Sequence, residues 1–326
     1  MPQRLTQHRD VFLHQAAQAE GRSALYAALC RRLADDPRVP ALLESPPRWD
    51  APLRLLAALH RLVLEGRADW SDLSDVLDRE AVFLRDYAAQ VEIQTNEVQR
   101  AWIFLPCFLE LVRRSGTAVF DLVELGASAG LLLVWDRYGY RYRAGRWGSA
   151  EAKLELAGEE RRAVAGELLT LEPRVRRRIG IDRHPLDLRR ADDLLLLKSF
   201  VWAGQDDRLA RLEAAAEAVA RDPPDLVQGD LVEVLPRELE RRDDGALMVV
   251  LNSAALGYVD EDGRRAVRDA LETAGADGPL AYVTATRPRD GSDRYWGLAV
   301  ELWPDGGRHE LAHADFHGAW LEWHEA

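Results

Sequence analysis

Beyond Gly116 the chain reads as five short apolar runs, at 120–125, 178–182, 226–229, 247–252 and 280–286, each of strand length. Stretches with helical periodicity separate them: "ASAGLLLVWDRY", "ADDLLLLKSFVW" with "DDRLARLEAAAEAVARD", "LVEVLPRELERR" and "EDGRRAVRDALETAG". Short apolar runs alternating with segments able to form crossover helices are the signature of a parallel sheet with helices on its faces. The tail from Tyr295 onward alternates instead, and turns at "PDGG", which predicts an antiparallel meander finishing the sheet.

Upstream of this region the pattern is helical from about residue 6 to 115, with apolar residues three and four apart, as at Leu25, Leu29 and Leu33 or Leu55, Leu59 and Leu62. Proline and glycine break it at "DDPRVP", at "ESPPRWDAP" and near Gly66. One long helix is expected over 74–87 and another through "EVQRAWIFLPCFLELVRRSG", kinked at Pro106 and closed by Gly116. The expected organisation is an all-α region over 1–116 followed by an α/β domain over 117–326, of Rossmann-like, mostly parallel design. The alternation of "YRYRAGRWGSAEAKLELAGEE", at 140–160, predicts a β-hairpin inserted after the first strand.

With a net charge of −12 and a pI near 5.2, a general nucleic-acid or membrane-surface binder is disfavoured, because phosphates are repelled on average. No run of about 18 apolar residues and no secretory leader pattern is visible, so a cytoplasmic protein is expected. Cys30 and Cys107 sit among apolar residues without ligand spacing and read as buried thiols.

Chemistry concentrates in "FDLVELGASAGLLLVWDRYGYRY", 120–142, a strand running into a glycine turn. A helix beginning there would present free backbone N–H groups at the carboxyl edge of the sheet, where doubly wound folds bind ligands. Gly126 and Gly130 permit a left-handed turn and close approach of a ligand to the backbone, and Ala127 and Ser128 lie between them. The spacing lacks the middle glycine of the dinucleotide fingerprint and the G-K-[ST] of a phosphate loop. Glu124, just before the turn, suits a cationic group better than a phosphate. The next strand ends in Asp182, able to accept ribose hydroxyls, and the third in Gly229 and Asp230, facing an adenine amino group. The fourth ends in Asn252 and Ser253, toward a reacting centre. Ammonium, ribose, adenine and methyl donor, in that order, are the needs of S-adenosylmethionine.

The segment "VELGASAG" is similar to the first motif of class I S-adenosylmethionine methyltransferases. As a set, "TNEVQRA" (95–101), "ELGASAGL" (124–131), "DRYGYRY" (136–142), "GIDRHPLD" (180–187), Val201 and Trp202 with Arg208, Gly229 with Asp230, and "HGAWLEW" (317–323) resemble the bacterial domain-of-unknown-function family 2332. The methyltransferase resemblance implies a S-adenosylmethionine-binding fold and a direct methyl transfer, with Glu124, Gly126, Ala127, Ser128, Gly130, Asp182, Gly229 and Asp230 around the cofactor. Ser128 stands where the common motif has glycine, which narrows the space for the amino-acid end. Asn96, Glu97, Arg100, Asn252, Ser253 and Tyr258 are the substrate-side candidates, with no base assigned. The acceptor is expected to be a small molecule or a protein rather than a nucleic acid.

Two rival functions stay open, a non-catalytic binding or regulatory module and a nicotinamide-dependent oxidoreductase. Bland roles compete too, because Asp182 and Asp230 each precede a helical segment that they can cap, and Glu97 with Arg100 can form a plain helical ion pair. His309, His313 and His317 recur every fourth residue, as metal ligands on a helix would. The flanking glycines and alternation favour strands, which scatter the three rings, and no metal is assigned.

Overall fold

A computed structural model of the chain describes residues 2–94, 96–243, 245–288, 290–292, 294–304 and 306–324, with side chains from residue 7. Thr95 and Asp305, in two of the motifs above, lie outside the described residues. Contacts group the chain into two units, Met1–Thr95 with Arg189–Leu212, and Asn96–Leu188 with Glu213–Ala326.

The first unit contains helices α1 (Pro2–Ala19), α2 (Ala24–Ala34), α3 (Val39–Leu42), α4 (Ala51–Leu64), α5 (Leu73–Arg79) and α6 (Ala81–Gln90). Phe12, Leu29, Leu33, Leu55, Leu59, Leu62 and Leu84 fill its core, the apolar stripe that the periodicity marks. The helix expected over 74–87 is two helices, because Glu80 (φ −106°, ψ 14°) leaves helical geometry and ends one before the next begins. No proline or glycine marks that break.

A segment from far downstream joins this unit: α8 (Ala191–Phe200) and the residues just after it, of which Ala203 enters the core, whereas α7 (Arg100–Ser115) belongs to the second unit. It is α8 that packs on α4, where His60 Nδ1 meets the Ser199 carbonyl at 3.3 Å and the Tyr87 hydroxyl lies 3.3 Å from Ser199 Oγ. Just beyond α8, Trp202 stacks on Tyr26 at 5.5 Å between ring centroids.

The second unit is built on a large sheet. Its strands are β1 (Val119–Leu125), β5 (Glu159–Arg162), β6 (Arg174–Asp182), β7 (Asp225–Gln228), β8 (Leu247–Asn252), β9 (Leu280–Thr286), β10 (Trp296–Trp303), β11 (Gly307–Ala314) and β12 (Trp320–Trp323). Their order is β5-β12-β11-β10-β9-β8-β1-β6-β7. Strands β7, β6, β1, β8 and β9 are mutually parallel, and β9 to β12 form the antiparallel meander. All five apolar runs are strands, within a few residues of the expected bounds. The first unit supplies the N-terminal helical region, and the expected α/β class holds.

One face of the sheet carries α10 (Leu231–Leu239) and α11 (Glu261–Ala276), whose Leu235, Leu239, Val267 and Leu271 pack on Val123, Leu125, Ile179, Ile181, Met248 and Val250. On α7, Phe108 approaches Phe120 and stacks on Trp135 at 4.6 Å. Gly116 ends α7 in the left-handed region (φ 70°), its N–H donating to Val112 O. The remaining helix, α9 (Asp206–Arg221), buries Leu212, Ala215, Ala216 and Val219, one stripe of an otherwise charged helix.

Between β1 and β6 the chain forms a separate three-stranded sheet. Strands β2 (Gly139–Tyr142) and β3 (Gly145–Trp147) make an antiparallel hairpin, and β4 (Glu155–Ala157) pairs parallel to β2. The alternation of Tyr138, Tyr140 and Tyr142 is packing: all three are buried, and their hydroxyls donate to the carbonyls of Leu131, Trp135 and Trp102. No helix among the described residues is long and apolar enough to cross a membrane.

Candidate functional site

The order β7-β6-β1-β8-β9 is that of a doubly wound sheet, in which the chain goes one way from β1 to β6 and β7 and the other way to β8 and β9. At this reversal the connections leave β1 and β8 in opposite directions, the place where doubly wound folds form their binding crevice; here Ala255, after β8, packs against Gly126, after β1. Leu125 of β1 lies beside Asn252 of β8 and Ile181 of β6, and Asn252 beside Thr284 of β9. The strand ends named from the sequence therefore meet at one edge.

The segment after β1 differs from expectation. No α-helix follows the glycine turn; 126–134 is a succession of turns, leading to one turn of 3-10 helix at Trp135–Arg137. Gly126 (φ 68°), Ser128 (φ 50°) and Gly130 (φ 73°) are all left-handed, and alternate residues of that kind cannot enter a right-handed helix. The apolar run 131–134 is buried by these turns rather than by a helical face.

Its backbone donors are also largely consumed. Gly126 and Ala127 N–H both point at Ile181 O (2.8 and 3.2 Å), Ser128 N–H donates to Asp182 Oδ2 (2.8 Å) and Gly130 N–H to Ala127 O (2.7 Å). A helix N-terminus would have offered those groups to an anion. This turn offers few.

Glu124 supplies the opposite character. It is 3% exposed, and its Oε2 has no hydrogen-bond partner. Burial, then the charge of Asp182, pushes its carboxyl well above the ordinary 4.5, while Arg100 pulls the other way. Nearby groups are committed elsewhere: Tyr138 donates to Leu131 O, and Arg100 Nε donates to Phe316 O (2.9 Å) with its guanidinium 4.7 Å above the Trp296 ring. A buried polar atom without a partner costs about 1–3 kcal/mol, so its retention calls for a use.

Around it, Asp182 is half-buried and held by two backbone donors, Ser128 N–H at Oδ2 and His184 N–H at Oδ1 (2.8 Å each). Gly229 N–H donates to Asp182 O (2.9 Å), tying the ends of β6 and β7 together. Asp230 caps α10 through Val232 N–H (2.9 Å) and pairs with Arg183 (2.6 Å), contacts that in this order hold its carboxyl below the usual range. Asn252 Nδ2 donates to Thr284 Oγ1 and its Oδ1 accepts Leu256 N–H, both at 3.2 Å. Ser253 beside it is buried, and Tyr258 stands 72% exposed at the end of the following turn.

Of the substrate-side candidates upstream, Asn96 and Glu97 precede α7 rather than lying in it, and Arg100 opens it. Asn96 Nδ2 donates to Ser128 Oγ at 2.7 Å, so this segment meets the turn directly. Glu97 Oε1 accepts Gln99 N–H (3.2 Å), and Gln99 Nε2 reaches the carbonyls of Ala157 and Gly318 (3.0 and 3.3 Å).

Sequence reasoning missed Thr284 and Ala255. Thr284, 1% exposed, is the partner of Asn252, and its place near the end of the neighbouring strand run was the available signal. Ala255 presses on the turn so closely that a Cβ at Gly126 would lie 2.6 Å from its methyl group. His309 and His313 lie on β11 and His317 in the turn after it; His309 Nε2 bonds Gly306 O (2.6 Å), and the three do not form one ligand set.

Fold and site together define a doubly wound α/β protein with carboxyl groups gathered at its switch point. The chain belongs to the family described as "Uncharacterized protein conserved in bacteria (DUF2332)", whose profile matches residues 9–323. No curated protein matches the chain significantly.

Proposed function

We propose that the crevice binds S-adenosylmethionine and that the protein is a methyltransferase acting on a small-molecule or protein acceptor. The observation that carries this reading is the buried Glu124 carboxylate with an unpartnered oxygen at the end of β1. A turn whose N–H groups are largely spent and an adjoining carboxyl with an unpartnered oxygen suit an ammonium group, whose charge would favour ionisation of Glu124, better than a pyrophosphate, which also counts against a nicotinamide dinucleotide. The donor set fits the group. Glu124 would take the ammonium, exposed Gly126 would let the ligand approach the backbone, and Asp182, already oriented by two N–H groups, would accept ribose hydroxyls.

S-adenosylmethionine supplies an electrophilic methyl group, and the protein's task is to hold donor and acceptor in line and keep water out. Asn252, fixed by Thr284, and Ser253 line the side where an acceptor would enter. Asp230 contributes by capping α10 and anchoring Arg183, with its adenine contact made through the same strand end.

Calorimetric titration of the purified chain with S-adenosylhomocysteine tests the reading. Saturable binding is expected, and Glu124→Gln should weaken it about 10- to 100-fold by removing a charge-assisted hydrogen bond. Absence of heat and of a thermal shift at saturating ligand sinks it.

The Asn96–Ser128 hydrogen bond across the turn favours a second reading, a methyltransferase-like binding protein without turnover. Binding with no methylated product from any acceptor fraction would support it.

A further inference from the structure

On a different part of the second unit, three side chains converge that the sequence does not bring together. His313 lies on β11 directly opposite Glu322 on β12. The ladder continues one step past β12, where His324 N–H donates to Leu311 O at 2.8 Å. Side chains two apart on a strand share a face, so Glu322 and His324 point the same way, and His313 projects beside both. The His313 and His324 rings are 4.3 Å apart, nearly perpendicular, and one ligand atom from each of the three residues lies within 4.8 Å of the others.

The geometry points to a divalent metal site at His313, Glu322 and His324, taking Zn²⁺. Two imidazoles and a carboxylate are a ligand set that zinc accepts with a fourth position left open. Bonds of about 2.0–2.2 Å in a tetrahedron place donors roughly 3.4 Å apart, and the three ligand atoms already lie within 4.8 Å of one another. All three are half-buried, which leaves solvent to fill the open position. Tyr295, its ring 4.7 Å from His313, walls one side, and its hydroxyl hydrogen-bonds Asp290. Arg162 stands opposite Glu322 on β5 and is the nearby cation that the metal must tolerate. A metal here would bind the end of β12 to β11.

The test uses the full chain stripped with chelator, then titrated with Zn²⁺ or Co²⁺ alone. One equivalent of Co²⁺ should develop the intense visible bands of a tetrahedral site, displaced by Zn²⁺. His313→Gln and His324→Gln should each weaken Zn²⁺ binding by on the order of 100-fold, at the upper end of what even outer ligands contribute. His309→Gln, whose ring is engaged by Gly306 O, should bind as the parent does. A folded parent chain that shows no tetrahedral cobalt spectrum, or a spectrum unchanged in both variants, overturns the site. If a variant fails to fold, Glu322→Gln, changing one atom type, carries the same expectation.

Discussion

Glu124 is the side chain at which stability and ligand binding conflict. Its carboxyl resists ionisation in the folded chain, because burial disfavours the charge and Asp182 adds to that cost. The unfolded chain ionises near the ordinary 4.5, so between that pH and the raised folded value the native state holds more protons than the unfolded one. Stability from this group is therefore fully present below pH 4.5 and is lost as pH rises through the folded value. Glu124→Gln should lose less stability than the parent over that rise, by at most about 1.4 kcal/mol per pH unit for one proton. Urea denaturation of both proteins from pH 4.5 to 8 checks this; parallel curves would show that the carboxyl titrates normally.

At the scale of elements, the strands were legible and the turn after β1 was not. Runs such as "LMVVL", 247–251, are apolar at every position, and a strand covered on both faces needs that pattern. The carboxyl groups at 124, 182 and 230 were legible for the same reason, since each lies at, beside or just past the end of such a run. In contrast, "GLLLVW" has the composition of a buried helix, and nothing in the identity of Ser128 announces φ 50°. That conformation is enforced from outside, by Asp182 on the Ser128 N–H and Asn96 on its hydroxyl, and neither contact is local in sequence. The facing of His313 and Glu322 was hidden likewise, because it depends on the length of the turn between β11 and β12. The packing that seats the turn can be tested at Gly180 of β6. A Cβ there would lie 2.6 Å from both the Ala127 methyl and Leu226 Cδ2, so Gly180→Ala should cost about 1–3 kcal/mol through overpacking. Chemical denaturation measures the cost, and a change under half a kcal/mol would mean that the turn is looser than described.

For the whole molecule, the grouping into units cuts across sequence order: α7 belongs with the sheet, and α8 with the helices that begin the chain. His60 records this arrangement. Burial, the larger effect, holds its imidazole below the ordinary 6.5 in spite of a hydrogen bond to the Ser199 carbonyl. The unfolded chain takes up a proton below pH 6.5 that the folded one refuses, so this stability is present above that pH and is lost on acidification. Helical circular dichroism should show the denaturation midpoint falling from pH 7 to 5 in the parent and falling less in His60→Gln. Equal slopes would indicate that His60 is not the titrating group. The partnership of α4 and α8 also sets a timetable. His60 and Ser199 are 139 residues apart, and at about 5–20 residues per second a ribosome needs roughly 7–28 s to add that length. The first six helices thus leave the ribosome without the piece that finishes their core. During that interval the face of α4 that packs on α8 stands uncovered, while strands of the other unit are already being made.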